Sequence, residues 1–202
     1  MTRRLLPYGA SAVLLECADL AETQRLRLAI QRSFEAVTEI IPGARTLLLR
    51  LDRPLGAGER QDLLDLPGVD APPAGDLETV TLPVDYSGPD LSEVAERTGT
   101  SPEEVVALHT GQTWTVAFCG FAPGFGYLVG ENERLRVPRH DQPRMSVPAG
   151  AVGLADAFSG VYPRSGPGGW QLIGRTDVTL WDLDRDPPAL LRPGGRVRFV
   201  AG

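Results

Sequence analysis

The sequence predicts an α+β fold that is mostly β: a small N-terminal α+β unit followed by a closed barrel or sandwich of short strands. Three observations predict it. Residues 11–66 alternate strand-like and helical apolar patterns, and residues 67–76 (PGVDAPPAGD) have the composition of a linker. From residue 113 onward, eight short β-branched or aromatic runs are separated by glycine and proline. So many short strands need each other's edges covered, which argues for closure. The boundary divides the chain into residues 1–76, linker included, and residues 77–202.

In order along the chain, SAVLLEC (11–17) reads as a strand. Asp19 stands where it can cap the following helix, in which Leu26, Ala29, Ile30, Ser33, Phe34 and Val37 recur on one face. TLLLRLD (46–52) is the next strand, its continuous leucines predicting burial on both faces, and ERQDLLDL (59–66) a second short helix. This part reads as a structural module without chemistry. Past the linker, ETVTLPVDY is a strand, and PDLSEVAERTG and SPEEVVALHTG are two short helices. The second has Ser101 as N-cap, Pro102 at its first position and Glu104 placed to complete a capping box. His109 closes that helix, where a carbonyl-rich end favours a protonated imidazole. The β runs are TWTVAFC, LRVP, MSVP, GAVGLA, GVYP, WQLIGRT, VTLWD and RVRFV.

With 202 residues, 42% of them hydrophobic, the chain can bury a sizeable core without staples. Its 26 acidic and 20 basic residues give a net charge of −6, against a general nucleic-acid binder. Every base is arginine. That removes Schiff-base lysines, lysine general bases and the lysine of a phosphate loop, and leaves anion contacts to guanidinium groups, although a GC-rich genome accounts for the same composition. Cys17 and Cys119 suggest no disulfide framework. With only His109 and His140 beside them and no paired spacing, no metal site is expected. The N-terminus lacks a long apolar run, so the protein reads as soluble and cytoplasmic.

Three loops of similar chemistry crowd the second half. In GFAPGFGYL (120–128), glycines at 120, 124 and 126 allow positive φ or a close approach of backbone amides to a ligand, with Pro123 stiffening the turn. Alternatively Phe121, Phe125 and Tyr127 plug a barrel end. RLRVPRHDQPR (134–144) holds four arginines, of which Arg139 and Arg144 each follow a proline. Prolines fix the chain before each guanidinium and suit it to bidentate anion recognition, unless the run is simply a solvated face. Asp141 and Asp156 could offset them or act as a general base. In SGVYPRSGPGGWQLIGRT (159–176), Pro167, Gly168 and Gly169 signal a turn, Gly174 allows close packing, and Trp170 reads as core.

Together GFAPGFGYL, PRHDQPR followed by VPAGAVG, GVYP and PGGWQLIGRT resemble the blocks of the 5-oxoprolinase B-subunit family, also called KipI-like or allophanate hydrolase subunit 1. That family is similar to part of the carboxyltransferase domain of urea carboxylase. The resemblance runs from LLPYGASAVLLE to LLRPGGRVRFV. It implies a small α+β domain over 1–76 and a cyclophilin-like β-barrel over 77–202. It further implies one part of a hydrolase, working with a cyclophilin-like C subunit (KipA-like) and an A subunit in the ATP-dependent opening of 5-oxo-L-proline to L-glutamate. ATP, with Mg2+, would be bound, an interface between subunits being one place for it. A role in allophanate or urea-amide hydrolysis, and non-enzymatic inhibition of a sensor histidine kinase, are the other activities the resemblance brings.

By position, the resemblance marks His109, Arg139 and Arg144 as catalytic candidates. It marks Phe121, Pro123, Gly124, Pro148, Tyr162 and Arg175 as substrate-binding candidates. Arginine would hold a carboxylate or a transferring phosphoryl group, loop amides an oxyanion, and His109 would shuttle a proton. The chain departs from the family pattern at Phe158, Gly126 and Gly166, where glutamine, proline and serine are common. Phe158 would make the pocket less polar.

Overall fold

The computed structural model describes residues 3–70 and 78–202. The chain divides into two compact units, Met1–Gly75 and Asp76–Gly202. Most of the stretch read as a linker, residues 71–76, lies outside the described residues.

The first unit runs β1 (Arg4–Pro7), β2 (Ala12–Glu16), α1 (Leu20–Ser33), β3 (Val37–Pro42), β4 (Thr46–Leu51) and α2 (Ala57–Asp65). Its strands form an antiparallel sheet in the order β1-β2-β4-β3. Asp19 caps α1 through its carboxylate, which accepts from the Glu22 amide at 2.7 Å. Thr23, Leu26, Ala29 and Ile30 form the buried stripe. The helix stops at Ser33, earlier than the apolar spacing suggested: Phe34 is extended, and Val37 pairs with Leu51 at the start of β3. Strand β4 buries one face only. Leu47, Leu49 and Leu51 are buried, whereas Arg50 is exposed, because α1 covers a single side of the sheet.

The second unit contains β5 (Val80–Val84), α3 (Leu91–Thr98), α4 (Pro102–Thr110), β6 (Trp114–Cys119), β7 (Gly126–Val129), β8 (Arg144–Val147), β9 (Ala151–Ala155), β10 (Phe158–Val161), β11 (Gly166–Gly168), β12 (Gln171–Arg175) and β13 (Arg196–Ala201). Seven strands form one sheet in the order β12-β9-β10-β7-β6-β13-β5, and β8 pairs β11 as a separate ribbon. The sheet curls until its edges meet. Asp85, just past β5, exchanges two 2.8 Å backbone hydrogen bonds with Arg175 of β12, closing a barrel. A Cβ on Gly174 would lie 2.6 Å from the Asp85 carbonyl oxygen, so glycine is what lets the seam close. From the seam the chain follows β12, the Asp90 amide donating to Leu172 O at 2.9 Å.

Several expected elements differ. LRVP is no strand: the Asn132 side chain accepts from the Arg134 amide and starts a 3-10 turn over Glu133–Leu135. VTLWD contributes one isolated bridge, Trp181 to Ala189. Pro167 and Gly168 lie in β11 instead of a turn, because the chain there runs back along β8. The capping box of α4 is half made. Ser101 accepts from the Glu104 amide, while the Glu104 carboxylate goes to Arg134. Among the described residues, no helix is long and apolar enough to cross a membrane.

Candidate functional site

The glycine-rich loop splits into two parts. Residues 120–125 link β6 to β7, and the turn is held from inside: Gly120 N donates to Phe125 O, Ala122 N to Gly120 O, and Phe125 N to Ala122 O. These three amides are therefore unavailable to an oxyanion, against the sequence expectation. Of the three glycines only Gly124 takes a positive φ, of 84°; the other left-handed residue is Phe121, at 67°. A phenylalanine in that region carries strain of about 1–3 kcal/mol, a cost that concentrates at functional positions. The two phenylalanines then part. Phe125 is buried and plugs the barrel wall, whereas Phe121 is 58% exposed.

Around them lies an aromatic layer. Phe125 meets Tyr162 and Trp170 edge-on with ring centres 5.3 Å apart in both cases, Tyr127 meets Trp170 at 5.6 Å, and Phe121 covers Tyr162 at 6.0 Å. The Phe158 departure extends the layer, edge-on to Phe118 and Tyr127. Onto it reaches Arg139, its guanidinium carbon 5.9 Å from the Trp170 ring centre. Burial pushes the phenols of Tyr127 and Tyr162 up, and the Arg139 charge pulls both back. Arg139 has no carboxylate partner among the described residues.

Arg144 is held differently. Its Nη2 donates to Asp90 Oδ1 at 2.6 Å and its Nη1 to Trp170 O at 3.3 Å. The sequence reading missed Asp90, which is buried and takes the Leu172 amide on its other oxygen at 2.6 Å. His140 Nε2 lies 3.3 Å from that second oxygen without an aligned hydrogen bond. Beside them an open cleft of about 390 Å3 is lined by Arg97, Pro138, Arg139, His140, Asp141 and Gln142. Asp90, Glu93 and His140 bring ligand-type atoms within 4.8 Å of one another. Both carboxylates already face guanidinium groups, Arg144 on Asp90 and Arg97 on Glu93, so a cation there would compete with two built-in charges.

His109 does not belong to this group. It is fully buried against Trp114 and Phe199, with Nδ1 2.7 Å from Tyr86 Oη and Nε2 2.8 Å from Ser159 Oγ. Burial lowers its pKa to about 3. The imidazole is neutral and hydrogen-bonded within the core, which corrects the protonated helix-end reading and sets the proton-shuttle candidate apart from the arginines. Desolvation outweighs the helix terminus.

The remaining candidates scatter. Pro123 is exposed on the loop and Gly124 packs against Trp181, while Tyr162 is buried in the aromatic layer. Pro148 is exposed after β8, its carbonyl accepting from Ala151. Arg175 stands at the far end of β12 from Trp170, exposed and paired with Asp177 at 2.9 Å. Gly126 is buried in β7, Gly166 has open space around it, and Asp156 is exposed at a φ of 52°. The structure thus joins Arg139, Arg144, Phe121 and Tyr162, and leaves His109 and Arg175 apart from them.

A small α+β unit followed in the chain by a β-barrel is a fold that this protein shares with carboxyltransferase domains. Residues 3–191 match the carboxyltransferase domain, subdomain C and D, and the chain belongs to that family. It is 42% identical over 204 residues to the 5-oxoprolinase B subunit of Escherichia coli O157:H7, covering 95% of this chain and 93% of that one. Among solved structures, TTHA0988 is 38% identical with a TM-score of 0.71 over 99% of this chain. This chain spans only 40% of that longer one. The urea carboxylase of Kluyveromyces lactis, 18% identical, has the same fold at a TM-score of 0.75 over 99% of this chain and 22% of its own.

Proposed function

We propose that this chain is the B subunit of an ATP-dependent 5-oxoprolinase, a cytoplasmic enzyme in which it works with one A and one C type of partner. The observation that carries the reading is the 42% identity, across nearly the full length of both chains, to a protein bearing that name. The chemistry of the site supports it. A small planar lactam with one carboxylate suits a guanidinium set over aromatic rings: the carboxylate takes the planar fork and the ring lies on the apolar layer. In this reading Arg139 binds the carboxylate, the exposed Phe121 meets the ring with the buried Tyr162 supporting it from beneath, and Arg144 holds the arm in place.

Opening the lactam breaks its C–N bond. Water supplies the oxygen of the new carboxylate, and the nitrogen leaves as the amine. An amide resists this attack, which is why the reaction is coupled to ATP. The residues of this chain do not fit a triphosphate at the glycine-rich loop, since three of its amides are bonded within the turn and no lysine is present. In this proposal ATP and its Mg2+ belong to the assembled enzyme.

The test is ATP turnover by the copurified A, B and C subunits. The proposal expects ATP hydrolysis that depends on added 5-oxo-L-proline and releases glutamate. Turnover indifferent to 5-oxoproline, or none with all three proteins folded, overturns it.

A further inference from the structure

We propose that Asp90 is a positioning residue for Arg139, clamping the arm 138–144 so that the Arg139 guanidinium stays over the aromatic layer. The clamp spans distant parts of the chain. Asp90 lies ahead of α3, at the end of the segment that leaves the barrel seam, and its side chain does not cap that helix. One carboxylate oxygen takes the Leu172 amide, fixing Asp90 to β12, and the other takes Arg144, the last residue of the arm. The middle of the arm is fixed separately, His140 N donating to Gly169 O at 2.8 Å with its ring against the same carboxylate. Arg139 therefore emerges one residue before the His140 anchor and five before Arg144, so the Gly169 carbonyl and Asp90 together set the stretch of arm from which it reaches Trp170.

The same arrangement sets the charge of the site. Asp90 neutralises Arg144 and Glu93 neutralises Arg97, so Arg139 is left as the one arginine lining the site that has no carboxylate partner among the described residues. With the Asp141 carboxylate also lining the cleft, this one guanidinium over aromatic rings favours a ligand with one carboxylate over a dianion. This selectivity deepens the 5-oxoprolinase reading and rests on it; the clamp itself does not.

The clamp is tested on this chain alone, by NMR titration of isotope-labelled tyrosines. Arg139 holds the Tyr127 phenol down, so Tyr127 reports where Arg139 sits. Arg139→Ala should raise the Tyr127 titration midpoint, Asp90→Asn should raise it in the same direction, and the double variant should show no further rise. The proposal is overturned if Asp90→Asn leaves Tyr127 where it was, if the two shifts add, or if Arg139→Ala has no effect. Should Asp90→Asn not fold, Arg144→Met releases the same end of the arm and must give the same shift. In the assembled enzyme, Asp90→Asn should raise the KM for 5-oxo-L-proline about ten-fold with a smaller change in kcat. It should also weaken discrimination against glutarate as a competing dianion. If no 5-oxoproline is consumed while the Tyr127 shifts appear as described, the clamp stands and the functional reading fails.

Discussion

Two arginines that look equivalent in PRHDQPR are not equivalent in the folded chain. Arg144 is spent on Asp90, and Arg139 is exposed over Trp170 without a carboxylate. In the assembled enzyme, Arg139→Ala should lower kcat/KM for 5-oxoproline about 100-fold, while shifting stability by less than about 0.5 kcal/mol, because an exposed side chain contributes little to folding. Arg144→Ala should do the reverse in emphasis. Leaving the buried Asp90 charge unpaired should cost about 3–5 kcal/mol of stability, read as a lowered denaturant midpoint. His109 makes a third residue-level prediction. Its folded pKa lies near 3, below the unfolded value of about 6.5, so the unfolded chain takes up a proton first as the pH falls. Stability present above pH 6.5 is then lost toward pH 3, by at most about 1.4 kcal/mol per pH unit from this group. Urea unfolding of the wild type and His109→Gln from pH 7 to pH 4 should show a steeper acid loss in the wild type, with no such difference above pH 7.

At the level of elements, the barrel seam is the most exacting contact. Gly174→Ala would drive a methyl group against the Asp85 carbonyl oxygen and the Val84 side chain, and should destabilise the second unit by about 1–3 kcal/mol, measured as a lowered thermal midpoint. Gly166→Ala, with nothing within 4 Å, is the matched control. The sequence revealed the helices and most of the strands because their cues are local: Asp19 and Ser101 at caps, and apolar runs between glycine and proline. It misplaced what depends on partners distant in the chain. Pro167 and Gly168 look like a turn but lie in β11, since pairing with β8 overrides local preference. Asp90 was invisible for the same reason. Read locally it is one more cap-type residue before a helix, and only the fold brings Arg144 and Leu172 onto it. Arg139 and Tyr162 were legible through their motifs, whereas the burial of His109 was not, because one helix end gives no sign of the barrel interior around it.

At the scale of the molecule, each unit has its own core. Leu15, Leu26, Leu47 and Leu63 centre the first; Leu82, Trp114, Leu154 and Phe199 centre the second. Residues 78–202 produced alone should therefore fold cooperatively, giving a single unfolding transition with a β-rich circular dichroism spectrum, and a non-cooperative melt would contradict this. The way the barrel shuts has a further effect on motion. The reciprocal amide pair at Asp85 and Arg175, followed by single bonds from Gly88 N to Ile173 O and Asp90 N to Leu172 O, joins the edges of a seven-stranded sheet, so the cylinder should breathe there more readily than along its longer ladders. Deuterium should reach these two positions ahead of the ladder between β9 and β10. Because Asp90 lies five residues downstream of that latch, each brief parting would slacken the tether on the arginine arm as well, tying the rhythm of the seam to how firmly a guest is gripped.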